Sequence, residues 1–406
     1  MRGKASSRHH AHFQRGTLAS HPKRHQSVVA AGPPSQPLSV PLVVGPYQNN
    51  GAATWFANMN LGQPGQPLKI ALDTGCNFIW TTSSLCPSGC CAHYGNGFFD
   101  YAKSSTFKWV DQKPILVDFG PWGSMVVETG QDDFAITGNT SVQLDAFLAS
   151  MYCGEQFAEL DWDGGLGIPS GSDYVDPAVS FFVEELMNSG AMDPSYPYIS
   201  FSMDPSSGKG SVLFGGVDVD AVDPMSSIAL PWTPYTAFPD VAYIWTTPLN
   251  SYQVGSKVVA TNAQFCLDSG SSQFKGDNNI MNTTLSLLGP HPTENVTLTL
   301  GATIDGQPGR IVVPPSVYMV EIQEGAGKGQ TLPQFNPLGL NGLVLVGTVL
   351  MQNIYTVYVY DVTETPEGYH LAPVGMVIFN KKNGPKLIQT TSDTEWKLEA
   401  RPVHKI

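Results

Sequence analysis

The sequence predicts a mostly β protein, on three observations. Only 14% of the 406 residues are charged, while glycine (41) and proline (32) are plentiful. Short apolar runs alternate with turn clusters from about residue 39 nearly to the end. An apolar-strand pattern also recurs once, half a chain apart. Low charge with many turn formers suits a loop-rich β protein better than a helical one. At 42% apolar, the chain can bury more core than one domain usually holds.

The elements follow in chain order. Residues 1–38 read as a solvated basic arm. Arg2, Lys4, Arg8, Arg15, Lys23 and Arg24 meet no acid there, and a Gly-Pro-Pro-rich stretch follows. His9, His10 and His12 in the arm read as part of the same solvated tract, not as a metal site. A first strand is expected at 54–61, a turn at 62–67, and a second strand at 68–72. Further strands are expected at 211–216, 254–261, 296–304, 311–313 and 354–362. One helix is expected at 177–189, where Val179, Phe182, Val183, Leu186 and Met187 fall near helical spacing and Gly190 is a stop.

Charge narrows the partners. The first acidic residue is Asp73, and the net charge is −13. Outside the arm, 15 basic residues face all 34 acidic ones, so the body carries −19. Such a body repels phosphate, and nucleic acid is not an expected partner. No apolar run reaches the 18 residues of a membrane span, and the first residues lack the apolar stretch of a secretory signal. Other features favour the secretory pathway. Asn139, Asn282 and Asn295 each open a glycosylation acceptor triplet. Of six cysteines, Cys86, Cys90 and Cys91 cluster with His93 at a spacing that fits no common zinc site. A short disulfide loop such as Cys86–Cys91 is expected, in an oxidising compartment.

The repeat carries the chemistry. Leu68–Leu72 leads into Asp73-Thr74-Gly75, and a strand at 263–267 leads into Asp268-Ser269-Gly270, 195 positions later. An aspartate at the end of a buried strand is costly unless its charge has partners. Glycine two positions on permits a tight turn with its backbone near the carboxylate. The hydroxyl between them, on Thr74 or Ser269, can bond across to the other half. Two such turns meeting would bring the carboxylates together, where both cannot ionise easily and one proton is shared. The ionised member can take a proton from water while the neutral one donates to a carbonyl oxygen. Amide hydrolysis of this kind calls for no metal and no cofactor.

With these motifs the chain resembles the pepsin-like aspartic peptidases over about residues 40–400. Asp73-Thr74-Gly75 followed by Trp80 is similar to the family's first loop and its tryptophan. Asp268-Ser269-Gly270-Ser271-Ser272 is similar to the second. Asp163-Gly164-Gly165-Leu166-Gly167 and Leu345-Val346-Gly347 resemble the elements beside the two loops, and Val212 to Asp218 resembles the strand between the lobes. The resemblance implies two β lobes with a central cleft, divided as 39–215 and 216–406. It implies Asp73 and Asp268 as catalytic residues, supported by Thr74, Gly75, Ser269, Gly270 and Ser271. A flap carrying Phe119, Gly120 and Trp122 would close with Trp80 over an extended peptide. Cys86 and Cys91 would form the family's short disulfide loop. The basic arm would be the remnant of an inhibitory prosegment. A monomer suffices, since both aspartates are in one chain.

Three positions depart from the family. Phe119 stands where the flap usually carries tyrosine, Cys76 where a hydroxyl follows the first triplet, and Thr348 where an acid is common. They predict a slower or oddly selective enzyme. The alternative is a non-catalytic binding or inhibitor protein on the same fold; against it, both aspartates are kept. Gly325 to Thr331 resembles a phosphate loop but has Gly329 where Ser or Thr must follow the lysine, so it reads as a surface loop.

Overall fold

The strand Gln66–Asp73 is the first of two matching frameworks. It pairs in parallel with Gly164–Gly167, which pairs antiparallel with Ile79–Thr82. In the second half, Lys257–Leu267 pairs in parallel with Leu343–Val346, which pairs antiparallel with Phe274–Gly276. In a computed structural model describing residues 36–48, 55–87, 89–118, 123–153 and 155–405, the same three-strand plan thus stands behind each Asp-Ser/Thr-Gly turn. The chain is mostly β, with the bilobal pepsin-like arrangement the resemblance implies.

A third layer joins the halves. Leu38–Val44 pairs with Lys209–Phe214, which pairs with Tyr198–Asp204, which in turn pairs with Ile354–Thr365. The last strand continues into Gly368–Asn380 and Ile228–Pro231. Its sequence IYTVYVY alternates two tyrosine faces. Tyr355 bonds Ser200 Oγ at 2.9 Å, whereas Tyr358 and Tyr360 point the other way, to Leu267 and Pro169. All three rings are buried, and each finds a partner for its hydroxyl, as buried tyrosines must.

The expected strands are present with shifted ends, except 254–261, which spans a hairpin: Thr246–Val254 ends there, the chain turns at Gly255 with φ +57°, and Lys257–Leu267 begins. The expected helix is shorter, Phe182–Asn188, and buries Phe182, Val183, Leu186 and Met187. It starts late because Ser180 is held by Asp145: the Ser180 amide donates to Asp145 O at 3.0 Å, and the Asp145 amide to Ser180 Oγ at 2.9 Å. A second helix, Asn278–Leu288, was not expected. Asp277 caps it, accepting the amides of Asn279 (2.7 Å) and Ile280 (3.1 Å). The glycine-rich segment at 325–331 is a largely exposed turn ahead of the strand Thr331–Pro333. Among the described residues, no helix is long and apolar enough to cross a membrane.

Candidate active site

Both triplets sit where a strand runs out of its sheet. Asp73 ends its strand opposite Gly167, and its carbonyl accepts the Ile168 amide at 2.7 Å. Asp268 follows the last paired residue, Leu267, and its amide donates to Val346 O at 3.0 Å. Each carboxylate then accepts the amide of its own glycine, Gly75 at 2.8 Å and Gly270 at 2.9 Å.

The two turns are locked by exchange. The Thr74 amide donates to Ser269 Oγ at 3.1 Å, and the Ser269 amide donates to Thr74 Oγ1 at 2.9 Å. Thr74 Oγ1 donates on to Leu267 O at 3.3 Å and Ser269 Oγ to Leu72 O at 2.5 Å, so each hydroxyl reaches the strand of the other half. Thr74 and Ser269 are buried, where such a network is strong when complete. The glycines make the closeness possible. A Cβ on Gly75 would lie 2.5 Å from the Asp268 carboxyl group, and one on Gly270 would overlap that of Asp73. Only hydrogen fits at either place.

The carboxyl groups meet. Asp268 is buried and Asp73 partly so. Burial holds the Asp73 carboxyl well above the ordinary carboxylate range; the negative charge of Asp268 and a hydrogen bond between the two add to the rise. The buried Lys275, whose charge reaches both aspartates, opposes it.

Trp80 is buried beside the first turn, 5.5 Å from the Trp162 ring and edge-on to Tyr152 and Phe157. Gly165 leaves room for its indole, since a Cβ there would lie 3.0 Å from Trp80 Nε1. Ser271 is buried, and its carbonyl accepts the Thr348 amide at 2.8 Å. Cys76 is buried too, but its thiol donates to Phe78 O at 3.5 Å. Burial, then the Asp73 charge, pushes that thiol well above its usual range. Phe119, Gly120 and Trp122 lie outside the described residues. The antiparallel strands leading to and from them, Lys108–Asp118 and Ser124–Thr137, are in place.

The disulfide Cys86–Cys91 is formed, with Cα atoms 5.9 Å apart. His93, two residues beyond this loop, is buried and hydrogen-bonded through both ring nitrogens. Its Nε2 lies 2.8 Å from Asp163 Oδ1 and its Nδ1 2.9 Å from the Tyr152 hydroxyl. Asp163 also accepts the amides of Lys69 and Gly97, each at 2.8 Å. The buried carboxylate thus ties the strand Gln66–Asp73 and the segment holding His93 and Gly97 to the start of the Gly164–Gly167 strand. Asn139, Asn282 and Asn295 are all exposed.

Three site residues escape the sequence reading. Tyr358 places its hydroxyl 3.2 Å from Thr74 Oγ1 and donates to Leu267 O at 3.0 Å, bracing the crossing from beneath. Trp245 packs edge-on to Tyr358 and donates to Ile168 O at 2.9 Å. The signal for Tyr358 is the alternation in Ile354–Thr365. The third is Lys275, buried in the short strand Phe274–Gly276.

Sequence comparison points to the same family. Residues 54–366 match the family described as eukaryotic aspartyl protease. Pepsin A of Rhinolophus ferrumequinum is 23% identical over 357 residues, 85% of this chain and 88% of the relative. Chymosin of Ovis aries is 30% identical over 237 residues, 57% of each chain. Cathepsin E of Rattus norvegicus is 26% identical over 321 residues, 75% of this chain and 77% of the relative. With the family match spanning most of the sequence, and paired aspartates where such a fold would hold them, this chain belongs to the eukaryotic aspartyl proteases.

Proposed function

We propose that this chain is an aspartic-type endopeptidase, active at acidic pH, whose nucleophile is a water held between Asp73 and Asp268. One observation carries the reading: Thr74 and Ser269 exchange hydrogen bonds so that two carboxyl groups from opposite halves lie within hydrogen-bonding reach. Asp73, with its raised affinity for a proton, is the neutral member; Asp268 is the anion. Asp268 removes a proton from the water as its oxygen adds to the peptide carbonyl carbon. Asp73 gives its proton to the carbonyl oxygen, and a neutral gem-diol results. Collapse breaks the C–N bond, with one proton passing to the leaving amine and one returning to the pair. The pair shares a single proton throughout, so its titration belongs to both groups.

The substrate would lie extended against the hairpin of Lys108–Asp118 and Ser124–Thr137, with apolar side chains flanking the scissile bond. The lobes would divide at 39–215 and 216–406, with the basic arm as a prosegment remnant. A disulfide and three exposed acceptor asparagines support passage through a secretory compartment. The test is digestion of a denatured protein at about pH 3–5 with and without a statine-type inhibitor, which mimics the tetrahedral state. Inhibitor-sensitive cleavage supports the peptidase. Intact substrate, with the inhibitor nevertheless bound, would favour the non-catalytic binding protein.

A further inference from the structure

Lys275 occupies the middle of a three-residue strand, Phe274–Gly276, that begins four positions after the second catalytic turn. Register places it. Lys275 stands opposite Leu345 on one side of the Leu343–Val346 strand, and Cys266 stands opposite the same Leu345 on the other. Side chains abreast in a sheet share a face, and residues two apart along a strand share it too. Lys275 therefore lies on the face from which Asp268, two residues beyond Cys266, emerges.

The side chain is 5% exposed. A buried ammonium is costly unless a negative charge answers it. The strands paired with it and the helix that follows carry no acid, and Asp277 between them accepts the amides of Asn279, Ile280 and Gly342. Leu343–Val346 reads LVLV, Phe335–Pro337 reads FNP, and the helix Asn278–Leu288 holds no ionisable residue. The charged groups that reach Lys275 are Asp268 first and Asp73 second. The other titratable groups around the pair are Cys76, Cys266 and Tyr243, all pushed upward by burial and so neutral in acid.

We propose that Lys275 is a positioning residue for charge: its buried ammonium keeps the anion of the pair on Asp268 and sets the acid window in which the pair shares one proton. This rests on the peptidase reading above. The sign follows from Coulomb's law. A fixed positive charge stabilises each ionised state of the pair, so it lowers both proton-loss steps. The two limbs of the pH–rate profile then lie lower than an uncharged residue would leave them. Burial draws the Lys275 ammonium down to about 7, and the two carboxylates hold it there against a further fall. It is therefore charged wherever an acid protease works.

The experiment compares pH profiles of kcat/KM for wild type, Lys275→Gln and Lys275→Arg. Lys275→Gln is expected to move both limbs upward by about one pH unit. Lys275→Arg is expected to keep them in place, whatever its turnover. A side chain that merely fills space would lower the rate at every pH without moving the limbs, and unmoved limbs in Lys275→Gln would overturn the proposal. Should Lys275→Gln fail to fold, a 15N titration of the lysine Nζ groups in wild type decides, with Lys275→Arg identifying the resonance. A charged Lys275 throughout the active window is expected; a neutral one there overturns the proposal. Inactive wild type would sink the peptidase reading instead, and the nitrogen titration would still judge Lys275.

Discussion

Thr74 and Ser269 stand 195 residues apart, and each donates its backbone amide to the other's hydroxyl, at 3.1 and 2.9 Å. Ser269→Ala would strand the Thr74 amide and the Leu72 carbonyl in a buried place. Each unmet buried group costs about 1–3 kcal/mol, so a clear drop in the chemical-denaturation midpoint is expected. Turnover should fall with it, because the carboxyl groups lose their mutual placement. Ser269→Thr, which keeps the hydroxyl, should restore most of both.

Gly75 and Gly270 each lie against the opposite carboxyl group, with no room for a methyl. Gly75→Ala should push the turns apart while leaving both aspartates present. Displacements of that order cost roughly 100-fold in rate. Single-turnover kinetics on a chromogenic peptide would show it, and near-normal turnover would mean that the turns are not so tightly joined.

Cys76 offers a weak donor beside Asp73, and its thiol is spent on Phe78 O. A hydroxyl there is a stronger donor. Cys76→Ser should raise kcat/KM by roughly tenfold, the equivalent of one added hydrogen bond of about 1.4 kcal/mol. An unchanged or lower kcat/KM would show that the thiol does not limit the site.

Asp73 holds its proton more tightly in the folded chain than in the unfolded one, chiefly through burial. A carboxyl of that kind costs nothing below its unfolded pKa, where it is neutral in both states. As pH rises above that point, the unfolded chain gains by ionising and the folded chain lags, so stability falls. Asp73→Asn removes the group. Its melting temperature should exceed that of wild type near pH 7 and converge with it below about pH 4. Parallel melting curves at every pH would contradict this.

Asp163 is buried and accepts from His93, Lys69 and Gly97. Removing one member of such a pair leaves the others unmet, at about 3–5 kcal/mol. Asp163→Ala should therefore unfold at markedly lower denaturant concentration than wild type, and cleavage of the substrate should fall with the folded fraction.

The meeting of Asp73 and Asp268 was legible in the sequence because the signal is local and doubled: an apolar strand, an aspartate, a hydroxyl and a glycine, twice. Trp80, the Cys86–Cys91 loop and the β class were legible for similar reasons. Tyr358 was not, because its role depends on which face of Ile354–Thr365 meets Thr74, a matter of register between distant strands. The helix Asn278–Leu288 is rich in Asn, Ser and Thr, which favour caps and turns over helix interiors. It forms because Ile280, Met281, Thr284 and Leu288 bury one side and Asp277 caps the start. Lys275 follows the polar run from Ser269 to Gln273 with only Phe274 between; the pairing of its strand with Leu343–Val346 turns it inward. The eleven cationic or histidine residues of the arm lie outside the described residues, as do Phe119, Gly120 and Trp122 of the flap.

The most direct test is the pH dependence of kcat/KM for wild type, Asp73→Asn and Asp268→Asn on one peptide. A shared proton predicts a bell-shaped profile in acid for wild type and loss of at least about a thousandfold in both variants. Substantial cleavage by either variant, or a wild-type rate that rises steadily toward neutral pH, would contradict a water activated between Asp73 and Asp268.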